Sequence, residues 1–163
     1  MEGPVEAVVS EFLDGLRQTY GGRLITVALF GSRARGDHRR ESDVDILVIA
    51  DPVPESYPAR LSEIRPLLDR ANRRLAVDQQ GEVPPRLSVA IKSREEGAFH
   101  APLYLDLTED VKLLVDRDGF LAGVLEKVRA RMAELGSRRI WLGPGRWYWD
   151  LKPGSKAGEV IEV

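Results

Sequence analysis

The stretch that decides the fold is Leu29-Phe30-Gly31-Ser32-Arg33-Ala34-Arg35-Gly36, a polar segment Asp37 to Glu41, then Ser42-Asp43-Val44-Asp45-Ile46-Leu47-Val48. Leu24 to Phe30 and Val44 to Ala50 are apolar, β-branched runs of strand length. Gly31 allows a sharp turn after the first run and a close backbone approach. Ser32 then opens a helical turn, whose free N–H groups and hydroxyl can hold an anion. Asp43 and Asp45 stand two apart on a strand, so both side chains leave the same face while Val44 and Ile46 turn inward. Two carboxylates on one face repel unless a cation lies between them. Oxygen-only donors near phosphate suit Mg²⁺.

Outward from this segment, the chain alternates helices and strands. Val5 to Tyr20 has helical spacing and stops at Gly21-Gly22. Pro58 to Ala76 is a helix in which Pro66 predicts a kink or a restart. Leu87 to Lys92 is a third strand, Leu103 to Glu109 a short helix, Val111 to Val115 a fourth strand, and Phe120 to Leu135 a last helix closed by Gly136. We read residues 1–136 as one domain. Residues 137–163 form an extension, with all three Trp (Trp141, Trp147, Trp149), Tyr148 and the bases Arg138, Arg139, Arg146, Lys152 and Lys156. Gly143-Pro144-Gly145 reads as a turn between two short strands. The aromatic cluster is expected to pack onto the domain or a partner. The alternatives are stacking of bases or binding of nucleic acid. The acids Asp106, Glu109, Asp110, Asp116 and Asp118 are expected to form a solvated face.

The composition removes several classes of chemistry. The 163 residues contain no Cys, which excludes thiolate metal sites and thiol nucleophiles. Two His, His38 and His100, are too few for a His-rich metal site, and both are read as loop residues. The 24 bases and 26 acids give a net charge of −2, so the chain does not coat nucleic acid by charge alone. No apolar run reaches membrane-span length, and Met1-Glu2-Gly3-Pro4 lacks the plan of a signal peptide, so the expected location is the cytoplasm.

The pattern Phe30-Gly31-Ser32, a ten-residue spacer, then Asp43-Val44-Asp45-Ile46 resembles the nucleotidyltransferase superfamily that includes DNA polymerase β and kanamycin nucleotidyltransferase. Within it, the chain looks most like the minimal nucleotidyltransferase domains of prokaryotes, archaeal ones in particular. The resemblance implies an α/β nucleotidyltransferase fold: a small mixed sheet with helices mainly on one face. It implies a transferase that moves a nucleotide, AMP from ATP, to a hydroxyl of a protein or RNA, with two Mg²⁺ ions assisting. Gly31 and Ser32 would contact the triphosphate, with Arg33 and Arg35 neutralising phosphate charge, and Asp43 and Asp45 would hold the metals. Such domains are paired with a helical HEPN-type partner in toxin–antitoxin systems, so an antitoxin-like role is expected. A homodimer is a further expectation. One position departs from the pattern: where the family carries a third carboxylate, this chain has Ser88. Asp78, Glu82, Glu95 and Glu96 are the nearby substitutes. The departure keeps a second reading open, a nucleotide-binding or partner-binding module with degraded catalysis.

Overall fold

The computed structural model describes residues 3–77, 83–99, 102–156 and 158–163. Its elements run α1 (Pro4–Tyr20), β1 (Leu24–Phe30), α2 (Ser32–Arg35), β2 (Val44–Ala50), α3 (Tyr57–Val77), β3 (Leu87–Lys92), α4 (Arg94–Ala98), α5 (Pro102–Leu107), β4 (Lys112–Asp116), α6 (Phe120–Leu135), β5 (Arg138–Gly143) and β6 (Arg146–Asp150). Four strands form a mixed sheet in the order β3-β2-β1-β4, and β5 and β6 make a separate hairpin. β1 runs antiparallel to β2 and β4, whereas β2 and β3 are parallel, with α3 as their crossover.

β2 is buried on both faces, which is why it reads as a continuous apolar run. Its even-numbered residues Val44, Ile46 and Val48 join Val27 and Leu29 of β1 against Phe12 and Leu16 of α1 and Ile64 of α3. Its odd-numbered Leu47 and Ile49 face Tyr104 and Leu107 of α5 and Leu121, Leu125 and Val128 of α6. Helices therefore cover both faces of the sheet, where the sequence led us to expect mainly one. The last helix is apolar enough along its stripe to build the second core. Each fully buried aliphatic side chain contributes about 1.5–3 kcal/mol relative to exposure. On the first face α1 and α3 meet closely because Gly15 has no side chain: a Cβ there would lie 2.6 Å from Leu67 Cδ2.

Two local expectations are corrected. Of the kink or restart that Pro66 predicts, the restart does not occur: α3 runs as one helix over Tyr57–Val77. The carbonyl that Pro66 leaves without an N–H partner is that of Ser62, and both residues are exposed, so water can satisfy it. The acidic stretch is also not simply a solvated face. Asp116 accepts hydrogen bonds from Thr26 Oγ1 (2.8 Å) and from the N–H groups of Leu121 and Ala122 (both 2.9 Å), tying β1 and β4 to the start of α6. Among the described residues, no helix is long and apolar enough to cross a membrane.

α4 was not read from the sequence, although its signature is present. Ser93 accepts from the N–H of Glu96, and the Glu96 carboxylate accepts from the N–H of Ser93, a capping box. Arg60 of α3, almost fully buried, donates to the same carboxylate and to the carbonyls of Pro54 and Ile91. Arg60, chiefly, and the Ser93 N–H hold the Glu96 carboxyl down at about 2. A depressed carboxyl adds stability that is complete above its ordinary value of 4.5 and is lost as the pH falls toward 2. Glu96→Gln should accordingly flatten the fall in stability across that window. Urea midpoints of both proteins between pH 6 and pH 2.5 test this, and parallel curves would reject the pair as the cause.

Candidate active site

The antiparallel register of β1 with β2 places Phe30, the last residue of β1, opposite Asp45. The turn that follows β1 must therefore meet the acids that begin β2. Gly31 takes φ 74° and ψ −158°, a conformation open essentially to glycine alone. The space its missing side chain leaves is occupied: a Cβ on Gly31 would lie 2.5 Å from Asp45 Oδ2. Ser32 opens α2, one turn long and closed by Gly36 in the left-handed conformation.

Asp43 precedes β2 and is exposed, while Asp45 is half-buried. Asp43 Oδ1 accepts from the N–H of Arg86 (2.8 Å), and the N–H of Val44 donates to the carbonyl of Arg86 (2.8 Å), so the start of β3 fixes the start of β2. Burial, and then the charge of Asp43, push the Asp45 carboxyl above the usual carboxylate range. A hydrogen bond from Ser88 and the charge of Arg35 pull it partly back. Asp43, Asp45 and the Ser88 hydroxyl are hard oxygen donors, and the two acids are costly neighbours without a counter-charge. The donor set thus suits a hard divalent cation bound by the two aspartates.

The parallel register pairs Asp45 with Ser88, so the residue read in the third-carboxylate position does stand beside the pair. Two of the four nearby substitutes, Glu95 and Glu96, do not replace it. In the same register Lys92 pairs with Ile49, about 13 Å further along the strand. Glu95 and Glu96 lie beyond that end, and Glu96 is held by Arg60 and Ser93. Asp78 and Glu82 fall outside the described residues. Among the described residues, no group of three or more His, Cys, Asp or Glu gathers at any point.

The two motif arginines separate. Arg33 is 3% exposed, and its guanidinium donates to the carbonyls of Ser42 (2.9 Å) and Arg40 (3.1 Å). It ties the connection between α2 and β2, and so positions Asp43, instead of reaching outward for phosphate as its spacing suggested. Arg35 remains on the side of Asp45. Its guanidinium lies 4.5 Å over the ring of Trp147, donates to Asp37 Oδ2 (3.1 Å) and comes within 3.9 Å of Asp110 Oδ2.

This contact brings in residues that sequence reasoning missed. On the hairpin, Arg139 pairs with Trp149 and Trp141 with Trp147, so all four side chains share one face. That face docks on the acids of and after α5. The indole N–H groups of Trp147 and Trp149 both donate to Asp106 Oδ1 at 2.8 Å. Arg139 forms an ion pair with Asp110 at 2.8 Å. The hairpin's two indole N–H groups and Arg139 thus meet Asp106 and Asp110. Three Trp near one another were the available signal, since a buried indole N–H needs an acceptor.

The geometry has two measurable consequences. Because Asp45 is more basic in the folded chain than in the unfolded one, its ionised form costs stability as pH rises above the ordinary value of 3.8. In metal-free protein at pH 7, Asp45→Asn should raise the melting temperature by about 1–3 °C. The gain should vanish toward pH 3, and an unchanged or lower melting temperature at pH 7 would contradict the assignment. Gly31→Ala should cost about 1–3 kcal/mol in denaturant unfolding, from backbone strain and from the clash with Asp45.

Comparison with known proteins shows the family. The sequence profile of the nucleotidyltransferase domain family matches residues 9–98. A protein of Methanocaldococcus jannaschii that carries a provisional name as a protein adenylyltransferase is 30% identical over 122 residues, 75% of this chain and 79% of that protein. A second protein of the same organism, similarly named, is 48% identical over 46 residues, 28% of this chain and 46% of its own length. Among solved structures, one of a tri-AMPylated Shewanella oneidensis HEPN toxin in complex with MNT antitoxin aligns at a TM-score of 0.48 and 16% identity, over 81% of this chain and 92% of that one. Matched by the family across both the Gly31-Ser32 turn and the aspartate pair, and by a relative across most of its length, this chain belongs to the nucleotidyltransferase domain family and is an enzyme of the nucleotidyltransferase class.

Proposed function

We propose that the chain transfers AMP from ATP to a hydroxyl group of a protein, using Mg²⁺ held by Asp43 and Asp45. The observation that carries this reading is the pair of carboxylates on the exposed end of β2, one of them lying against the backbone of Gly31. The first relative's name points to adenylyl transfer to a protein, at 30% identity over 79% of its length.

The chemistry is an in-line displacement at the α-phosphorus. A bond forms from the acceptor oxygen to phosphorus, and the bond to the bridging oxygen of the β-phosphate breaks, releasing pyrophosphate. Metal ions, when bound, supply charge stabilisation at the attacking and leaving oxygens. The chain's own residues do the rest. Gly31, with no side chain, lets the Asp45 carboxylate lie against the turn that carries Ser32. The N–H groups and hydroxyl at Ser32, at the start of α2, offer donors to the phosphates. Arg35 supplies positive charge on the same side. Ser88 can orient Asp45 through its hydroxyl, but it is a poor base at neutral pH. The acceptor proton therefore passes to Asp45, to solvent or to a group the acceptor itself brings. The latter would make turnover strongly dependent on the right acceptor.

A HEPN-type helical protein is the acceptor that the family resemblance recommends first, and RNA the second. The serine at position 88 also favours one other reading, a module that binds nucleotide without transferring it. Purified protein with Mg²⁺ and ATP labelled at the α-phosphate decides between them. Label should appear on the acceptor protein with release of pyrophosphate, and Asp43→Asn or Asp45→Asn should reduce the rate by about 100-fold or more. Mg²⁺-dependent binding of ATP with no transfer to protein or RNA would favour the binding module.

A further inference from the structure

The family match ends at residue 98, yet residues from beyond it reach the catalytic motif. Trp147 of β6 lies against Arg35, and Asp110, just beyond α5, lies between Arg35 and Arg139 of β5. The contact surface is firmly built. Asp106 takes the N–H groups of two tryptophans. The Arg139 guanidinium lies 4.9 Å from the rings of Trp147 and Trp149 and 5.5 Å from that of Trp141. The side chains of Arg139, Asp110 and Arg35 are only 11%, 13% and 14% exposed.

We propose that the C-terminal hairpin is a working part of the nucleotide site, in which Trp147 and Asp110 hold Arg35 in place to meet the triphosphate. The inference rests on the reading of the site as one that binds ATP. Trp147 is here a positioning residue, and Arg35 is the residue that contacts substrate.

A free arginine has many rotamers, and most are lost when it grips a phosphate. Arg35 has already lost them: one face of its guanidinium is taken by an indole, and its reach is fixed by the acid beside it. Preorganisation of this kind strengthens binding by removing the ordering cost from the binding step. The stack occupies a face of the guanidinium and leaves N–H edges for phosphate, the geometry in which arginine binds such groups best. The partner that must give way is Asp37, whose side chain is 41% exposed and easily hydrated, while the little-exposed Asp110 stays beside Arg35 at 3.9 Å. Arg35 also lies close enough to Asp45 for its charge to act on that carboxyl, which places it on the catalytic side of the turn.

The test is a double-mutant cycle on the full chain, with titration of the non-hydrolysable analogue AMP-PNP in the presence of Mg²⁺. Trp147→Ala should weaken binding by about 5–10-fold, and Trp147→Phe, which keeps a ring face, should bind within about 2-fold of the parent. Asp110→Asn should weaken binding in the same direction as Trp147→Ala. In an Arg35→Ala background neither change should weaken binding further. A merely structural hairpin would lower the melting temperature in all backgrounds and show no such dependence on Arg35. The inference is overturned if Trp147→Ala binds as well as the parent, or if it weakens binding by the same factor with and without Arg35. Tighter binding would also overturn it, because the hairpin would then be restraining Arg35 away from the triphosphate. If the parent chain itself fails to bind AMP-PNP, the underlying reading of the site falls, and this inference falls with it. That outcome is separate from loss of the Arg35-dependent effect in a parent that binds.

Discussion

The arrangement of this protein hangs on the contact between the Asp45 carboxylate and the bare backbone of Gly31. It arises from register: Phe30 and Asp45 are opposite one another, so the residue after β1 must share space with the side chain that Asp45 projects. The register is held from both faces. Val44, Ile46 and Val48 are fixed in the core beneath α1 and α3, and Leu47 and Ile49 in the core beneath α5 and α6. A slip of one residue would exchange the two sets and carry Asp43 and Asp45 to the face packed by α1 and α3, where nothing could repay the burial of two charges. The hydrophobic cores thus serve a polar purpose. They leave the two acids one place to be.

That place is electrostatically uncomfortable. Asp45 is raised by burial and by Asp43, with only Ser88 and Arg35 drawing it back. The surroundings are built to tolerate this discomfort without abolishing it. Arg33, close enough to Asp43 for the charge of that acid to act on it, spends its donors on the carbonyls of Ser42 and Arg40. The Arg86 N–H restrains Asp43 from β3. Neither interaction neutralises the pair as a dedicated lysine or arginine salt bridge would. Stability given up at such a point fits the proposal that the pair binds a counter-charge supplied from outside.

The parts of this design that were legible in the sequence are those encoded locally. β1 and β2 match the expected limits residue for residue, because apolar runs, a glycine turn and two alternate acids all fall within a short segment. Ser88 was placed correctly beside the pair because the third strand alternates cleanly. What escaped was encoded between distant segments. The spacing of Arg33 suggests a phosphate ligand, but its burial depends on how the following connection folds over it. Pro66 reads as a helix breaker unless one knows that the carbonyl it orphans is solvated. Asp106 and Asp110 read as surface acids until a hairpin some thirty to forty residues later brings two indole N–H groups and a guanidinium to them. The capping box at Ser93 and Glu96 is a local signal, and the helix it starts has only five residues.

The sharing of Asp110 explains why the extension and the catalytic turn should be considered together. Asp110 is little exposed and has two cationic partners, Arg139 at 2.8 Å and Arg35 at 3.9 Å. Removing one partner from a buried charge costs more than the net worth of the pair, since the remaining group is left without compensation. If the hairpin lifts, Asp110 loses its closer cation and must draw on Arg35. With the hairpin docked, Arg139 satisfies most of the charge of Asp110, and Arg35 keeps its place between Asp110 and Trp147. On the proposal that Arg35 meets the triphosphate, docking of the hairpin and binding of nucleotide favour one another, and the coupling is reciprocal because it is a property of binding free energies.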